Sequence, residues 1–321
     1  MTNTEQKIYA VIVTWNAMRN NWIDHCLQSL SESLLPVTPV VVDNGSSDGT
    51  RERVPQKWPG VIWMPQDKNL GFGQANNLGI AYAYQHGATH ILLLNQDAWV
   101  RPDTLSRLVE IQDRENLAIV APIHLSGDGK RLDRGFYNEI LKSADGYRFI
   151  SDMMLHTPCH YYKAKEIPAA AWLLSRNTVE TIGGFDPLFF QYGEDTDYTL
   201  RLEYHQLFLA VIPDAFICHD RRDTHGNEKV YNAVYVKNKL RNSFCDINQS
   251  VLAPTTYRLK VLVSHSFLAL KYLATLKLKQ WWLITIAYLS FISEIPTIIR
   301  HRRVNKKIGM HWLNIKRTGQ K

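Results

Sequence analysis

The sequence predicts an α/β protein with a mostly parallel sheet and a C-terminal helical region. Over residues 1–95, four short apolar runs alternate with segments of helical periodicity, as parallel strands joined by crossover helices do. From Lys237 to the end, 16 Lys and Arg accompany only two acidic residues, and the apolar positions follow helical spacing. We therefore predict a sheet domain over residues 1–235 and a basic, amphipathic helical tail over residues 236–321.

The apolar runs of the first half are nearly free of polar side chains, as strands buried on both faces are. Strands are predicted at residues 7–13, 40–42, 61–64 and 91–94, and helices at 20–33, from Asp48 onward and at 74–86. Polar loops follow three of these strands. Because parallel strands end at the same edge of a sheet, the loops should converge there, as a nucleotide site requires.

The rest of the chain continues with elements of both kinds. Helices are predicted at residues 102–114, from Tyr198 onward, at 230–244 and at 257–280, and strands at 118–122 and 207–212, whereas 126–134 reads as a loop and 136–165 has no clear pattern. The apolar stretch at 281–292 is interrupted by Glu294 and Pro296. At about 12 residues it is shorter than the roughly 20 that span a bilayer.

A polar triplet, Asn95-Gln96-Asp97, follows the apolar run at 91–94 directly. In extended backbone, the side chains of Asn95 and Asp97 point the same way. Two oxygen-bearing side chains at a strand end suit a divalent cation that also holds a diphosphate. A strand that ends in an Asx-type turn explains the same residues. The triplet alone leaves both interpretations open.

Two further groups of residues allow a chemical and a structural interpretation. Glu194, Asp195 and Asp197 lie within four residues, and closely packed like charges raise one another's pKa, which suits a general base or acid. Acids also stabilise the N-terminus of a helix through its dipole. His219 ends an apolar segment, so it is either a buried core histidine or a metal ligand.

The tail carries a formal charge of +14, which suggests contact with an anionic surface. Trp281 and Trp282 beside lysines suit a helix that lies in a membrane interface. An ordinary helical subdomain or a homo-oligomer interface is the alternative, and no nucleic-acid-binding module accompanies the charge. Four scattered cysteines favour reduced thiols. We expect a cytoplasmic protein at the inner face of the plasma membrane that binds no nucleic acid.

Seven motifs carry a resemblance to a known family. They are V-I-V-T-W-N at 11–16, V-V-D-N-G-S-S-D-G-T at 41–50, N-L-G-F-G-Q-A-N-N-L-G at 69–79, L-L-L-N-Q-D-A at 92–98, G-G-F-D at 183–186, Y-G-E-D-T-D at 192–197 and His219. In this order they resemble the family 2 inverting glycosyltransferases of the GT-A (nucleotide-diphospho-sugar transferase) fold, especially rhamnosyltransferase-like and galactofuranosyltransferase-like members. The resemblance covers roughly residues 7–225.

The resemblance implies a metal-dependent inverting glycosyltransferase that uses Mn²⁺ or Mg²⁺. Residues 1–100 would form the nucleotide-sugar-binding half and residues 101–235 the acceptor and catalytic half. The donor would be dTDP- or UDP-linked, with dTDP-rhamnose as the specific guess, and the acceptor a hydroxyl of a cell-surface glycan or a polyprenyl-linked glycan. Another hexosyl, galactofuranosyl or N-acetylhexosaminyl transferase, or a non-catalytic binding module, remains an alternative.

The resemblance also implies residue roles. The nucleotide-sugar would contact Thr14, Asn16, Asp43 (through the base), Asn44, Asn69, Gly71, Asn76, Asn95 and Gln96. Metal ligands would be Asp97, His219 and Asn95, the catalytic pair Asp195 as base with Glu194, and the acceptor residues Trp172 and Asp197. The stretch 221–227 would close over the diphosphate. Many relatives carry Asp at the position of Asn95, and a neutral carbonyl is a weaker ligand for a hard cation.

Overall fold

The computed structural model describes residues 6–221, 233–251, 253 and 256–315. Strands in this part are Ile8–Thr14 (β1), Val37–Asp43 (β2), Ile62–Pro65 (β3), His90–Asn95 (β4), Ala98–Val100 (β5), Ile119–Ser126 (β6), Tyr162–Ala164 (β7), Ala171–Ser175 (β8) and Leu209–His219 (β9). Helices are Trp22–Ser31 (α1), Thr50–Lys57 (α2), Phe72–Gln85 (α3), Thr104–Glu115 (α4), Arg134–Ile140 (α5), Gly146–Met154 (α6), Arg176–Ile182 (α7), Glu194–Tyr204 (α8), Ala233–Cys245 (α9), Thr256–Ala274 (α10) and Leu278–Asn305 (α11). Apart from Arg221, the stretch expected to close over a diphosphate lies outside the described residues.

One sheet organises the molecule, in the order β3-β2-β1-β4-β8-β6-β9-β5, with β7 paired to β9. Strands β1 to β4 are parallel, β6 is parallel to β9, and β8 runs antiparallel between β4 and β6. Alternate residues of a strand enter opposite apolar layers: Leu93 packs with α3 and α8, whereas Leu92 and Leu94 pack with α1 and α4. The predicted α/β class and mostly parallel sheet are confirmed.

Several strand and helix bounds differ from the prediction. Strand β6 continues to Ser126, and the stretch at 136–165, which showed no clear pattern, forms α5, α6 and β7. The strand predicted at 207–212 extends to His219, because Pro213 and the exposed Asp214 pass through a register shift opposite Pro122 without ending the pairing. A β-bulge absorbs the polar interruption that ended the apolar pattern in the sequence.

The predicted division of the tail helices is wrong. Helix α10 ends at Ala274, and Leu276 has a positive φ of 54° at the break. Helix α11 then runs for 28 residues through Glu294 and Pro296. Glu294 is accommodated because Arg241 and Lys237 pair with it. By length and composition α11 could cross a bilayer, a test that a core helix also passes, and 22% of its most apolar window is buried.

The tail helices are docked on the segment that precedes α8. Phe189 packs in an apolar cluster with Val236 and Leu240 of α9 and with α11. The buried Asp186 accepts hydrogen bonds from His301 Nδ1 at 2.6 Å and Asn305 Nδ2 at 2.9 Å. The helical region thereby braces the loop that leads into the acidic turn of α8.

Candidate active site

Three predicted strand ends meet at one edge of the sheet. Thr14 at the end of β1 is in register with Asp43 at the end of β2, and Val13 is in register with Asn95 at the end of β4. The residues that follow these strands therefore lie side by side, although they are up to 81 positions apart in the sequence. This is the edge at which open α/β sheets bind ligands.

Asp43 is a buried carboxylate with most of its hydrogen-bonding capacity in use. It accepts from Thr14 Oγ1 at 3.3 Å, from the Ser46 amide at 3.3 Å and from Arg51 Nε at 2.9 Å. The guanidinium of Arg51 offsets the cost of burying the negative charge. A carboxylate offers about four acceptor positions, so about one is unused, although the Asp43 side chain has no exposed surface in this structure. Trp15, beside it, is 53% exposed and presents an aromatic surface that the sequence prediction did not single out.

Asparagine side chains hold the loops around Asp43. Asn16 accepts from the Ser47 amide at 2.9 Å, and Asn44 donates to Asn69 Oδ1 at 3.0 Å while it accepts from the Leu70 amide at 2.7 Å. Asn76 donates to the carbonyl of Phe72. Asn44 and Asn76 are almost fully buried. Their amides shape the loop at 69–72, and their contact with a nucleotide-sugar remains a prediction.

Gly71 joins the nucleotide loop to the acidic turn. Its φ is +84°, and a Cβ at this position would collide with the carbonyl oxygen of Phe190. The close approach lets the Phe72 amide donate to that same oxygen at 3.0 Å. Only glycine allows both the left-handed backbone and the contact. The two halves of the predicted site are thus held together by backbone.

The Asn95-Gln96-Asp97 triplet divides into two functions. Gln96 accepts from the Trp15 amide at 2.9 Å and donates to the Trp15 carbonyl at 3.3 Å, so its side chain ties the end of β1 to the end of β4. Asp97 Oδ1 lies 3.4 Å from His219 Nε2. The pairing of Ala98 with His219 in β5 and β9 causes this approach. The structure brings together the two predicted metal ligands, which are 122 positions apart in the chain.

These residues suit a divalent cation. The Asp97 carboxylate is 22% exposed, and Asn95, Asp97 and His219 line the same cavity of about 600 Å³. A carboxylate oxygen, an amide oxygen and an imidazole nitrogen are ligands that Mn²⁺ accepts, and Mg²⁺ accepts the oxygens. His219 Nδ1, on the far side of the ring, is buried and has no hydrogen-bond partner among the described residues.

His124 and Asp133 lie behind His219, and the sequence prediction missed both. One ligand atom from each of the three residues lies within 4.8 Å of the others. Burial, and then the neighbouring His219, keep the pKa of His124 well below its ordinary value, so its ring is neutral. A lone histidine in the apolar run of β6 was the available signal for His124. For Asp133 the sequence offered no signal beyond its position before a helix.

Carboxyl groups line the other wall of the cavity. Glu194 and Asp195 begin α8, and Glu166, which the sequence prediction missed, faces them from the segment before β8. Thr196 links the two sides: its amide donates to Asp195 Oδ1 at 2.9 Å and its hydroxyl to Glu166 Oε1 at 2.8 Å. Oε2 of the buried Glu194 has no hydrogen-bond partner within residues 6–221, 233–251, 253 and 256–315. The cavity therefore combines an acidic wall with the Asp97–His219 pair.

Burial overrides the helix dipole at this turn. Burial first, and then the charge of Asp195, raise the pKa of Glu194 to about 8 and that of Glu166 to about 7. The pKa of Asp195 is also raised by burial, although its hydrogen bonds from backbone amides lower it. The negative charge of Asp195 therefore favours the protonated forms of Glu166 and Glu194. A single proton acceptor among neutral neighbours suits a general base.

Two predicted acceptor residues do not face the cavity, and their assignment is wrong. Trp172 is fully buried between Phe185 and Tyr198, and its Nε1 donates to the Ile167 carbonyl at 3.1 Å. Asp197 is buried against Arg201, at 2.9 Å. Trp172 lies in the interior of β8, where apolar positions pack on the helices, and the α-helical turn directs Asp197 away from Asp195 and into the core.

The family model for glycosyl transferase family 2 matches residues 9–182 of this chain. Among curated proteins, the dTDP-rhamnosyl transferase RfbF of Shigella flexneri is 26% identical over 218 residues, which are 66% of this chain and 68% of the relative. The N-acetylglucosaminyl-diphospho-decaprenol L-rhamnosyltransferase of Mycobacterium tuberculosis is 24% identical over 213 residues, or 60% of this chain and 69% of the relative.

Among solved structures, the fold is similar to that of S. aureus TarS residues 1–349 in complex with UDP-GlcNAc. The TM-score is 0.58 at 16% identity, and the match covers 94% of this chain and 88% of that one. The match to the longer TarS chain covers only 44% of it. At this identity the likeness establishes the GT-A fold alone, which confirms the fold predicted from the motifs.

Proposed function

We propose that this chain, which belongs to glycosyl transferase family 2 and is a glycosyltransferase, moves a sugar from a nucleotide-sugar to an acceptor hydroxyl in one inverting step. The observation that carries the proposal is the meeting of Asp97 and His219 with Asp195 and Glu194 around one cavity. One wall is suited to a metal-held diphosphate and the opposite wall to removal of a proton. These are the two requirements of a single displacement at the anomeric carbon.

The donor half of the site lies over Asp43. The remaining acceptor position of its carboxylate is suited to an N–H of a pyrimidine base, and the exposed ring of Trp15 to stacking on that base. Thr14, Asn16 and Asn69 hold these groups in place. The name of the Shigella relative supports dTDP-rhamnose as donor, whereas the UDP-GlcNAc complex of TarS supports a UDP-linked hexosamine.

Asp97 and His219 would hold Mn²⁺ or Mg²⁺, with Asn95 as a weaker neutral ligand. When bound, such a cation supplies positive charge that offsets the charge developing on the leaving nucleoside diphosphate. The contribution of the protein is to hold the Asp97 carboxylate 3.4 Å from His219 Nε2 through the β5–β9 pairing. The neutral Asn95 should tune metal affinity rather than decide whether metal binds.

Asp195 would act as the base. As the acceptor oxygen forms its bond to the anomeric carbon, its proton passes to the Asp195 carboxylate, and the bond from that carbon to the diphosphate oxygen breaks. The protonated Asp195 no longer holds protons on Glu166 and Glu194 by its charge. A glutamate that has released its proton to solvent can then take the proton from Asp195, which restores the Asp195 carboxylate and the protonated glutamate. No covalent enzyme intermediate is needed.

The test of this assignment replaces the Asp195 carboxylate with an amide of the same shape, which cannot act as a base. Asp195→Asn should lower the transfer rate by about 10²–10⁴-fold while the affinity for nucleotide stays unchanged. The matched control is Glu203→Gln, an exposed acid on the same helix, which should retain full activity. Full activity of Asp195→Asn would sink the base assignment. Nucleotide binding by the unaltered protein without transfer to any acceptor would instead favour a non-catalytic module, the reading that Asn95 supports.

We further propose that the acceptor is polyprenyl-linked and that the tail binds an anionic membrane surface. Helix α10 presents an apolar stripe, with Val263, Phe267 and Leu270 each about two-thirds exposed. Lys260 and Lys271 lie on α10, Lys277 lies between the helices and Lys279 lies on the first turn of α11. These lysines form no ion pair among the described residues, and residues 256–293 contain no acid. Copies of this face would repel one another, whereas anionic lipid would attract it by roughly 1 kcal/mol per cation. The decaprenol-linked substrate in the name of the mycobacterial relative supports the same setting.

Vesicle sedimentation tests the membrane proposal. The protein should bind phosphatidylglycerol vesicles and release them in high salt, and Phe267→Asp should weaken binding because it places a charge in the apolar stripe. Leu34→Asp is the matched control, since Leu34 is 68% exposed on the sheet domain. Binding that survives Phe267→Asp, or a stable dimer with no vesicle binding, would overturn the proposal and favour a homo-oligomer.

A further inference from the structure

His219 is placed so that its two ring nitrogens face different groups. It ends β9 beside Ala98 of β5 and is only 2% exposed, so the ring has no solvent-facing alternative. Nε2 lies 3.4 Å from Asp97 Oδ1, on the cavity side. Nδ1 lies 3.7 Å from Asp133 Oδ2, on the buried side. The chemistry of His219 at the cavity therefore depends on which nitrogen carries the proton.

We propose that Asp133 is a positioning residue that keeps the proton of His219 on Nδ1 and so aims the Nε2 lone pair at the cation site. The inference rests on the proposed metal role of His219. A neutral imidazole carries one proton, and a proton on Nδ1 faces the Asp133 carboxylate favourably. With the proton on Nε2, the Nδ1 lone pair would face that carboxylate and Nε2 could not bind a metal. Carboxylate partners of this kind set tautomer and ring orientation in metal sites.

Asp133 is itself fixed, so it can act as a rigid acceptor. It is the N-cap of α5: Oδ1 accepts from the Phe136 amide at 2.9 Å, and this leaves Oδ2 for His219. The side chain is 4% exposed. Arg221 Nε lies 3.8 Å from the same Oδ2. The helix cap thus determines which oxygen faces the histidine.

A cation of its own between His124, Asp133 and His219 is the competing explanation for this cluster. The three residues offer ligand atoms within 4.8 Å of one another, and in the described part of the chain neither ring nitrogen of His124 has a hydrogen-bond partner. The guanidinium of Arg221 disfavours a cation there, because it already places a positive charge beside Asp133. His124 packs against Phe136, which suits a residue that fills space behind His219.

The decisive variant is Asp133→Asn. The amide oxygen keeps the helix cap, so α5 should remain intact. The amide nitrogen must then face His219 Nδ1 and donate to it, which moves the imidazole proton to Nε2. Titration of Mn²⁺ in the presence of dTDP, followed by the electron paramagnetic resonance of free Mn²⁺, should show an affinity about 10–100-fold weaker than in the unaltered protein. Asp128→Asn, an exposed acid in the same loop, should leave the affinity unchanged.

Two further measurements distinguish an error in the role of Asp133 from an error in the proposed metal site. The ¹⁵N shifts of the His219 ring report the tautomer without metal in an Asp97→Ala background, which removes the carboxylate that faces Nε2 at 3.4 Å. Nδ1–H is expected when Asp133 is present and Nε2–H when Asp133→Asn is added, and Nε2–H in both would overturn the inference. Mn²⁺ affinity in His124→Phe should be unchanged; a loss equal to that of Asp133→Asn would place the cation in the buried cluster and also overturn it. If the tautomer pattern is as expected but no variant binds Mn²⁺, the proposed metal role fails and with it the positioning of a metal ligand, and only the control of the His219 tautomer by Asp133 stands.

Discussion

Glu194 is the residue whose environment departs most from what its sequence position suggests. An acid in the first turn of a helix ordinarily gains from the helix dipole, which favours its charged form. Here burial dominates, and the side chain retains a proton to about pH 8. The unpaired Oε2 and the close contact with Gly73 show why: the group is enclosed between the nucleotide loop and α8. Function, rather than stability, explains such a placement.

Glu194→Gln should therefore change how stability depends on pH. The pKa of Glu194 in the folded protein is raised from 4.5 to about 8, so its contribution to stability is present at low pH and is lost as pH rises through the folded value. The glutamine variant lacks this loss. Its Tm should exceed that of the unaltered protein at pH 8.5 by roughly 2–4 °C or more and match it near pH 4.5. Equal Tm differences at both values, measured by calorimetry, would contradict the protonated state of Glu194.

Asp97 and Asn95 should differ in their effect on metal affinity. Asp97→Asn removes the charged ligand and should abolish measurable Mn²⁺ binding in the presence of dTDP, whereas Asn95→Ala should weaken it only several-fold. Asn95→Asp adds a second carboxylate and should strengthen binding. Isothermal titration calorimetry measures all three. Equal losses for Asp97→Asn and Asn95→Ala would contradict the division between a main and a minor ligand.

Helix and loop contacts explain how distant motifs form one site. The Phe72–Phe190 backbone hydrogen bond joins the loop at 69–72 to the turn that begins α8, and Gly71 makes the approach possible. On the other side, Asn238 of α9 donates to the carbonyls of Gln191 and Tyr192 at 2.7 Å. The acidic turn is thus held between the nucleotide loop and the first tail helix.

Gly71→Ala tests the first of these contacts. The variant should lose transfer activity at least tenfold and be destabilised by more than about 1 kcal/mol, because it adds strain at positive φ to a collision with Phe190. Gly87→Ala is a close control: Gly87 also has φ of +84° but has open space around its Cβ position. Gly87→Ala should lose only the stability that strain at positive φ costs, and it should keep its activity. Similar losses of activity in both variants would mean that the contact with Phe190 does not matter.

Asn238→Ala tests the second contact. It frees the carbonyls of Gln191 and Tyr192, so Asp195 should be held less well and kcat should fall about tenfold while nucleotide affinity remains. Asn314→Ala, at an exposed asparagine, provides the comparison in steady-state assays. If Asn238→Ala keeps its kcat, α9 does not position the acidic turn.

At the scale of the whole molecule, the tail is both attached to the sheet domain and amphipathic. Asp186, His301 and Asn305 fasten α11 to the loop before α8, and Trp312 donates to Asn305 Oδ1 at 2.8 Å. The outward face of α10 meanwhile remains apolar and basic. If the tail binds a membrane as proposed, these contacts would fix the position of the site relative to that surface. The boundary predicted at residue 235 separates two parts of the chain that differ in composition, although residues of both parts pack in one apolar cluster.

Patterns of neighbouring residues predicted the strands and the polar residues at their ends. The buried strands and the polar strand ends at Thr14, Asp43 and Asn95 follow from runs of apolar residues and the loops after them. Glu166, Asp133 and His124 could not be found in this way, because their relation to the site arises from long-range strand order. The error over α11 has a tertiary cause: Arg241 and Lys237 neutralise Glu294 from another helix. Trp172 was misplaced because an aromatic residue in an apolar run looks the same whether it faces a cleft or the core.

The central claim is a single displacement in which Asp195 removes the acceptor proton opposite a diphosphate held at Asp97 and His219. The most direct test is proton NMR of the first transfer product formed from dTDP-rhamnose, Mn²⁺ and a polyprenyl-linked acceptor, with UDP-GlcNAc as the second donor. Whichever donor is used, we expect the anomeric configuration of the transferred sugar to be opposite to that of the donor. A product with the donor's configuration would require two displacements or a front-face mechanism, and would contradict the account.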